Sequence, residues 1–273
     1  MNPARALRAE GASLREALHA EWTKLRTVAG PAWLLAGTVA VTVAVSAAAT
    51  AAARCPSGTA CPVDTTKLSL TGILLGQAAV AVLAVLVISG EYSSGMIRIT
   101  LTAVPRRSIA LAAKAIILAG VVLAAGAMAT AWSLIAGRYI LPGNGFTGAH
   151  GTEALSLSAG PTLRAAVGSV LYLALIALFS LGLATALRDS GASIAVMLGL
   201  LYIVPLLTDL GTLDPRWEHR LQEWGPMTAG LAIQATRNLK ALPIGPWPGL
   251  GVLAVWAAAA LLAGGLVLRL RDA

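Results

Sequence analysis

LSLTGILLGQAAVAVLAVLVISG, residues 68 to 90, contains no Asp, Glu, Lys, Arg or His. A hydrocarbon core is crossed by about 20 apolar residues in helical form, and a helix satisfies its own backbone hydrogen bonds where no water is available. Stretches of the same kind recur along the chain, giving six spans at about 33–53, 68–90, 108–137, 165–187, 191–208 and 247–268, the third uncharged from Ala115 onward. Composition points the same way. The 273 residues are 57% hydrophobic and 12% charged, with a mean hydropathy of +0.78, where soluble domains hold roughly 45–50% apolar and 25% charged residues. Too few charged groups remain to cover a water-facing surface. The expected fold is therefore an all-α integral membrane protein, with a six-helix transmembrane domain over 32–273 and a separate amino-terminal segment, 1–31. That segment places some thirty residues of charged, helix-like sequence before the first span, so the span is not read as a signal peptide.

Basic residues set the expected orientation, because short loops rich in Lys and Arg stay cytoplasmic. The amino-terminal arm, the even-numbered connections and the tail together hold twelve of the 20, among them Lys24, Arg98, Arg106, Arg107, Lys114 and Arg188. The other side holds eight, four of them in the long 209–246 connection, where charge counts for less. Both termini are thus expected in the cytoplasm. Cys55 and Cys61 then fall in the first outer loop, within CPSGTACP, as a candidate disulfide that an oxidising compartment would favour. On a helical wheel Leu7, Leu14, Leu18, Trp22 and Leu25 lie within about 80° of one another, a stripe suited to an amphipathic helix lying in the membrane interface, with Lys24 beside it. Gly30-Pro31 is expected to break the chain before the first span.

The same pattern excludes much chemistry. His19, His150 and His219 all lie outside the spans, so intramembrane proteases lack their acid, base or zinc ligands. No catalytic residue and no metal site are expected. Carriers driven by protons or sodium usually keep an ionisable group facing an internal cavity, and the uncharged spans argue against one. No phosphate-binding GxxxxGK[ST] loop occurs, so any ATP must be held elsewhere. Scattered basic residues without a block give no reason to expect a nucleic-acid partner.

Between the second and third spans runs GEYSSGMIRITLTAVPRRSIALAAK, residues 90–114. Glu91 and Arg98 are seven apart, on one face of a helix, and Pro105 would end that element before Arg106 and Arg107 meet lipid headgroups. Lys114 is expected to snorkel from the start of the third span. This loop resembles that of permease subunits of type 2 ATP-binding-cassette exporters, whose form is an acid, an aromatic, two variable residues, Gly, Thr, an aliphatic and a base. Glu91, Tyr92, Gly95, Ile97 and Arg98 match, and Met96 stands where Thr is usual. Glu21-Trp22-Thr23-Lys24-Leu25-Arg26-Thr27 similarly resembles the segment just before the first span of many small bacterial permeases of this family.

The resemblance implies a multi-pass protein of the bacterial plasma membrane, assembled as two permeases, identical or paralogous, with two nucleotide-binding ATPase subunits that carry ATP and Mg. Loop 90–107 would transmit ATPase closure to the spans, with Glu91 and Arg98 as contact residues and the amino-terminal helix resting on the same partner. Within the spans Gln77, Thr42 and Ser133 are candidate cavity residues, although Ser, Thr and Gln equally hold helices together. A weakly polar pathway would suit an amphiphilic or apolar cargo, such as a drug or a lipid-like compound. In the 209–246 connection, Met227 to Ala235 is apolar but too short to span, which fits a re-entrant or surface helix, or part of an outer cap. An ATP-independent carrier or channel, or a membrane scaffold, are the competing readings.

Overall fold

The computed structural model describes residues 3–27, 29–55, 61, 63–93, 107–146, 159–210 and 214–270. These residues form helices and no strand. In chain order they are α1 (Pro3–Thr27), α2 (Ala29–Ala52), α3 (Thr65–Ser69), α4 (Ile73–Ser93), α5 (Arg107–Gly143) and α6 (Gly160–Leu187). There follow α7 (Ser190–Leu198), a π-helical turn Gly199–Ile203, α8 (Val204–Asp209), α9 (Pro215–Trp224), α10 (Pro226–Leu231) and α11 (Pro246–Leu270). Six of the resulting helical segments are long and apolar enough to cross a membrane, at Gly30–Ala52, Ile73–Tyr92, Arg107–Gly143, Gly160–Leu187, Ser190–Thr208 and Pro246–Leu270. The protein is a multi-pass membrane protein built, over its described residues, on helices.

Three boundaries differ from the sequence expectation. Gly30 and Pro31 lie inside α2 and do not form a break before the first span. The third span begins at Arg107 and, at 37 residues, is about 55 Å long, well beyond a hydrocarbon core of about 30 Å. The fifth span is not a plain α-helix. Pro205 withholds an N–H from the preceding turn, and the chain widens into the π-helical turn just before it; within that turn the Tyr202 hydroxyl donates to the Leu74 carbonyl of α4.

The core lies between α4, α6, α7 and α11, around Leu83, Ile88, Leu173, Ile176, Met197 and Leu253. The most extensive contact pairs α6 with α11. Glycine makes it possible: a Cβ on Gly182 would stand 2.5 Å from the Ala260 carbonyl carbon, and one on Gly264 would stand 2.6 Å from the Gly182 oxygen. Polar span residues tie helices together. Tyr172 donates to Gln77 Oε1, Gln77 Nε2 reaches Met227 Sδ at 3.3 Å, and Gln234 donates to Ser169 Oγ at 3.2 Å.

At one end of the bundle Cys55 and Cys61 form a disulfide, and Asn144 Nδ2 donates to the Thr50 carbonyl. The segment after α9 turns back into this end. Ile233 is fully buried against Gly168, and Gly230 packs on Tyr172 and Leu253, about 18 Å along α6 from its first residue. The apolar run Met227 to Ala235 thus packs against α6 and α11. Asp64 fastens it: while capping α3 through the Lys67 N–H, its carboxylate accepts from Thr236 N, Thr236 Oγ1 and Arg237 N at 2.5, 2.7 and 3.1 Å. Asp64→Ala is expected to cost about 2 kcal/mol, the scale of bonds to a charged acceptor, read as a drop in Tm of several degrees in detergent. Asp64→Asn, which keeps one acceptor oxygen, should lose less.

Candidate functional site

At the opposite end of the bundle, four charged side chains from three helices converge. Glu21 and Lys24 come from the last turns of α1, Glu91 from the end of α4 and Lys114 from the second turn of α5. Lys114 Nζ donates to Glu21 Oε1 and Oε2 at 2.9 Å each and to Glu91 Oε1 at 2.5 Å. An ammonium has three N–H donors, and all three are engaged. Lys24 Nζ spans the same two acids, at 3.0 Å from Glu21 Oε1 and 2.8 Å from Glu91 Oε1. Among the described residues, two acids and two bases thus alternate in this cluster, and their charges balance.

Burial makes the cluster an all-or-nothing arrangement. Lys114 is 3% exposed, Glu91 6% and Glu21 7%. Removing such ions from water costs several kcal/mol each, and their mutual attraction roughly offsets that cost when every partner is in place. The cluster therefore fixes position more than it adds stability. Burial pulls the Lys24 ammonium down, but hydrogen bonds to Glu91 and Glu21 and their charges outweigh it, leaving its pKa above the ordinary lysine value of 10.5. The Lys24 half of the cluster is complete below that value and is lost only as pH rises through the raised one.

Local sequence explains the convergence. On α1, Ala17 and Glu21 are buried while Trp22 is 44% exposed, so the packed face is centred on Glu21, about 60° round the helix from the middle of the leucine stripe. Leu14, Leu18 and Leu25 are half-buried at its margin. Gly90, without a side chain, opens a cleft of about 220 Å³ beside the cluster, walled by Leu25, Pro31, Leu86 and Ile117. One residue beyond Glu91, the Tyr92 ring lies under the Arg188 guanidinium, 5.7 Å from its centre. Arg188, in left-handed conformation after the last residue of α6, also donates to the Val267 carbonyl, and Arg107 donates to that of Leu268 at 2.6 Å. The ends of α1, α4, α5, α6 and α11 on this side are thereby tied together.

The sequence-derived candidates fare differently. Lys24, Glu91 and Tyr92 come together as described. Glu91 sets its carboxylate against two lysines, and Lys114 does not snorkel, because two buried carboxylates hold it. Gly95, Met96, Ile97, Arg98 and Arg106 lie outside the described residues. Gln77, Thr42 and Ser133 are each fully buried within the single chain, Gln77 against Tyr172 and Thr42 against Gly76 and the Thr38 carbonyl. Glu21 heads the segment that resembles the permease arms, yet sequence reasoning does not single it out as a site residue, because an acid three residues before Lys24 in a basic arm names no distant partner. Among the described residues no group of three His, Cys, Asp or Glu is placed to hold a metal ion. No family model matches this chain, and no curated protein matches it.

Proposed function

We propose that the chain is the permease subunit of an ATP-driven exporter, taking its energy from separate ATPase subunits that bind ATP and Mg. The observation that carries this reading is the cluster itself. The two segments that resemble the exporter family, Glu21–Thr27 and Glu91–Arg98, lie far apart in sequence, yet Lys24 and Glu91 meet at 2.8 Å. Residues 94–106 connect α4, from three residues after Glu91, to α5, whose first residue stands seven before Lys114. A push on that connection would reach both helices at once, and α1 with them, because the four charges move as one body. Arg107 and Arg188 would carry the displacement to α11 and α6.

In this reading both termini and the charge cluster face the cytoplasm, α1 rests in the interface with Trp22 toward the headgroups, and the membrane is the bacterial inner one. Two copies, or a copy and a paralogue, form the pathway between them. Its cargo is amphiphilic or apolar, since the middle of each span offers no charged side chain to an ionic one. Glu91 acts inside the subunit in this reading, and Arg98 is the residue assigned to contact with the ATPase.

Mild-detergent purification of the tagged protein from its native membrane tests the proposal. Wild type is expected to bring down a Walker-motif ATPase in equal amount, and Arg98→Glu to reduce it at least tenfold while keeping the Tm of the wild type. Recovery of folded wild type without an ATPase, under conditions that hold a known complex of this kind together, would sink the proposal and favour a stand-alone carrier.

A further inference from the structure

Between α5 and α11 a groove of about 640 Å³ opens on the outer surface of the bundle. Its walls are apolar: Leu111 on the inner side, Ile116, Leu262 and Leu266 along the edges, the last three 51%, 74% and 56% exposed. Gly265 lies in it as a gap in the side-chain surface. Polarity is confined to one end, where Ser108 and Arg269 line the groove. The two helices run antiparallel there, pinned by the bond from Arg107 to the Leu268 carbonyl, so Ser108 and Arg269 share a level. From Ser108 to Ile116 the groove follows α5 for about 12 Å, close to the depth of one leaflet of a core about 30 Å thick.

We infer that this groove is a binding site for an anionic phospholipid, with an acyl chain along Leu111, Ile116, Leu262 and Leu266 and the headgroup phosphate at Ser108 and Arg269. Charge selects the occupant. Arg269 is exposed and projects at the headgroup level from the last turn of α11, and Ser108 offers a hydroxyl within the first turn of α5. That turn belongs to a long helix whose dipole places partial positive charge where the phosphate would sit. Size and chemistry both lie within the range of ligand sites, a mainly apolar cleft with a few polar groups at one end. The inference requires only that the protein be embedded in a bilayer, and it stands whether or not an ATPase partner exists.

Native mass spectrometry of the full-length protein in mild detergent, titrated with phosphatidylglycerol or phosphatidylcholine, reads the site directly. Wild type should retain one phosphatidylglycerol in preference to phosphatidylcholine. Arg269→Gln should lower phosphatidylglycerol occupancy about fivefold, the effect of one basic residue near a charged headgroup, and phosphatidylcholine occupancy by less, because the choline ammonium offsets the charge of the same phosphate. Gly265→Leu should abolish retention of both by filling the groove. A Cβ at Gly265 would meet only Leu111 Cδ2, at an ordinary 3.6 Å, so the backbone accepts the change. Equal retention of the two lipids by wild type, or undiminished phosphatidylglycerol occupancy in Arg269→Gln, would overturn the inference. So would a Gly265→Leu variant that converts a dimer to a monomer, since the groove would then be an interface between copies of the chain. Arg269→Gln is a surface change, so its result stands even if Gly265→Leu does not fold.

Discussion

Lys114→Ala is expected to destabilise the protein by about 3–5 kcal/mol, the cost of leaving buried charges without their partner, and to cut the yield of folded protein steeply. Lys114 is the one member bonded to both acids through all of its donors, so its loss strands Glu21 and Glu91, which are 7% and 6% exposed, with only Lys24 between them. The informative companion is the double variant Glu91→Gln/Lys114→Gln. It keeps the cluster neutral, retains the Glu21–Lys24 pair at 3.0 Å, and should recover most of the stability lost by either single change. Thermal unfolding in detergent, followed by tryptophan fluorescence or by loss of the monodisperse peak, gives the cycle. Residues in one ionic network depart from additivity by roughly 0.5–3 kcal/mol. A double variant as unstable as the sum of its singles would mean that the four charges do not act as a unit. If the cluster is also the transmission element, the stable double variant should still bind an ATPase yet turn over ATP without stimulation by cargo.

The second large effect is expected from Gly182→Leu. In lipid there is no hydrophobic drive to bring helices together, so close packing of small residues carries the association. Here the approach is at backbone level: the added Cβ alone would stand 2.5 Å from Ala260 C and Leu261 N, and 2.8 Å from Ala260 O. Backbone cannot step aside as the tip of a side chain can. The helices α6 and α11 must separate, which opens their whole contact and exposes Thr185 beside Gly264. Overpacking costs of about 1–3 kcal/mol in cores that can adjust are a lower bound for this site, and Gly182→Leu should yield little folded protein. Gly182→Ala should already lower the Tm. Gly251, on α11, has nothing within 4 Å of its missing Cβ and is exposed; Gly251→Ala should be neutral or stabilising, by up to about 1 kcal/mol of helix propensity. Equal Tm values for the Gly182→Ala and Gly251→Ala variants would show that the contact is looser than the geometry indicates.

Part of the candidate site is legible in the amino-acid sequence and part is not. Glu91 and Lys24 stand out through the segments that contain them, and Lys114 as a charge at the margin of a span. Their meeting is not legible, because a charge beside a membrane reads in one dimension as a group reaching for water, whatever lies across from it. The α1 helix shows the same limit. Its leucine stripe predicts amphipathicity, yet the packed face is centred on Glu21, since a carboxylate with two lysines to meet sits more favourably inside than Trp22 does. Polarity alone makes Gln77 a candidate for a cavity, and the hydroxyl of Tyr172 on another helix takes up that polarity.

What the chain determined by itself is the number, approximate position and helical nature of the spans. Transfer of a segment into lipid depends on the sum of its own residues and on backbone bonds made within it, so a window of about 20 residues carries the answer. Tertiary structure alone decided the α6–α11 crossing at Gly182 and Gly264, the return of Ile233 into the bundle under Asp64, and the four-charge cluster. Each is a relation between two surfaces, and its energy comes from complementarity that neither segment contains. Many small residues could have served as a crossing point, and several lysines could have met Glu91; which of them did was settled when all six spans packed at once.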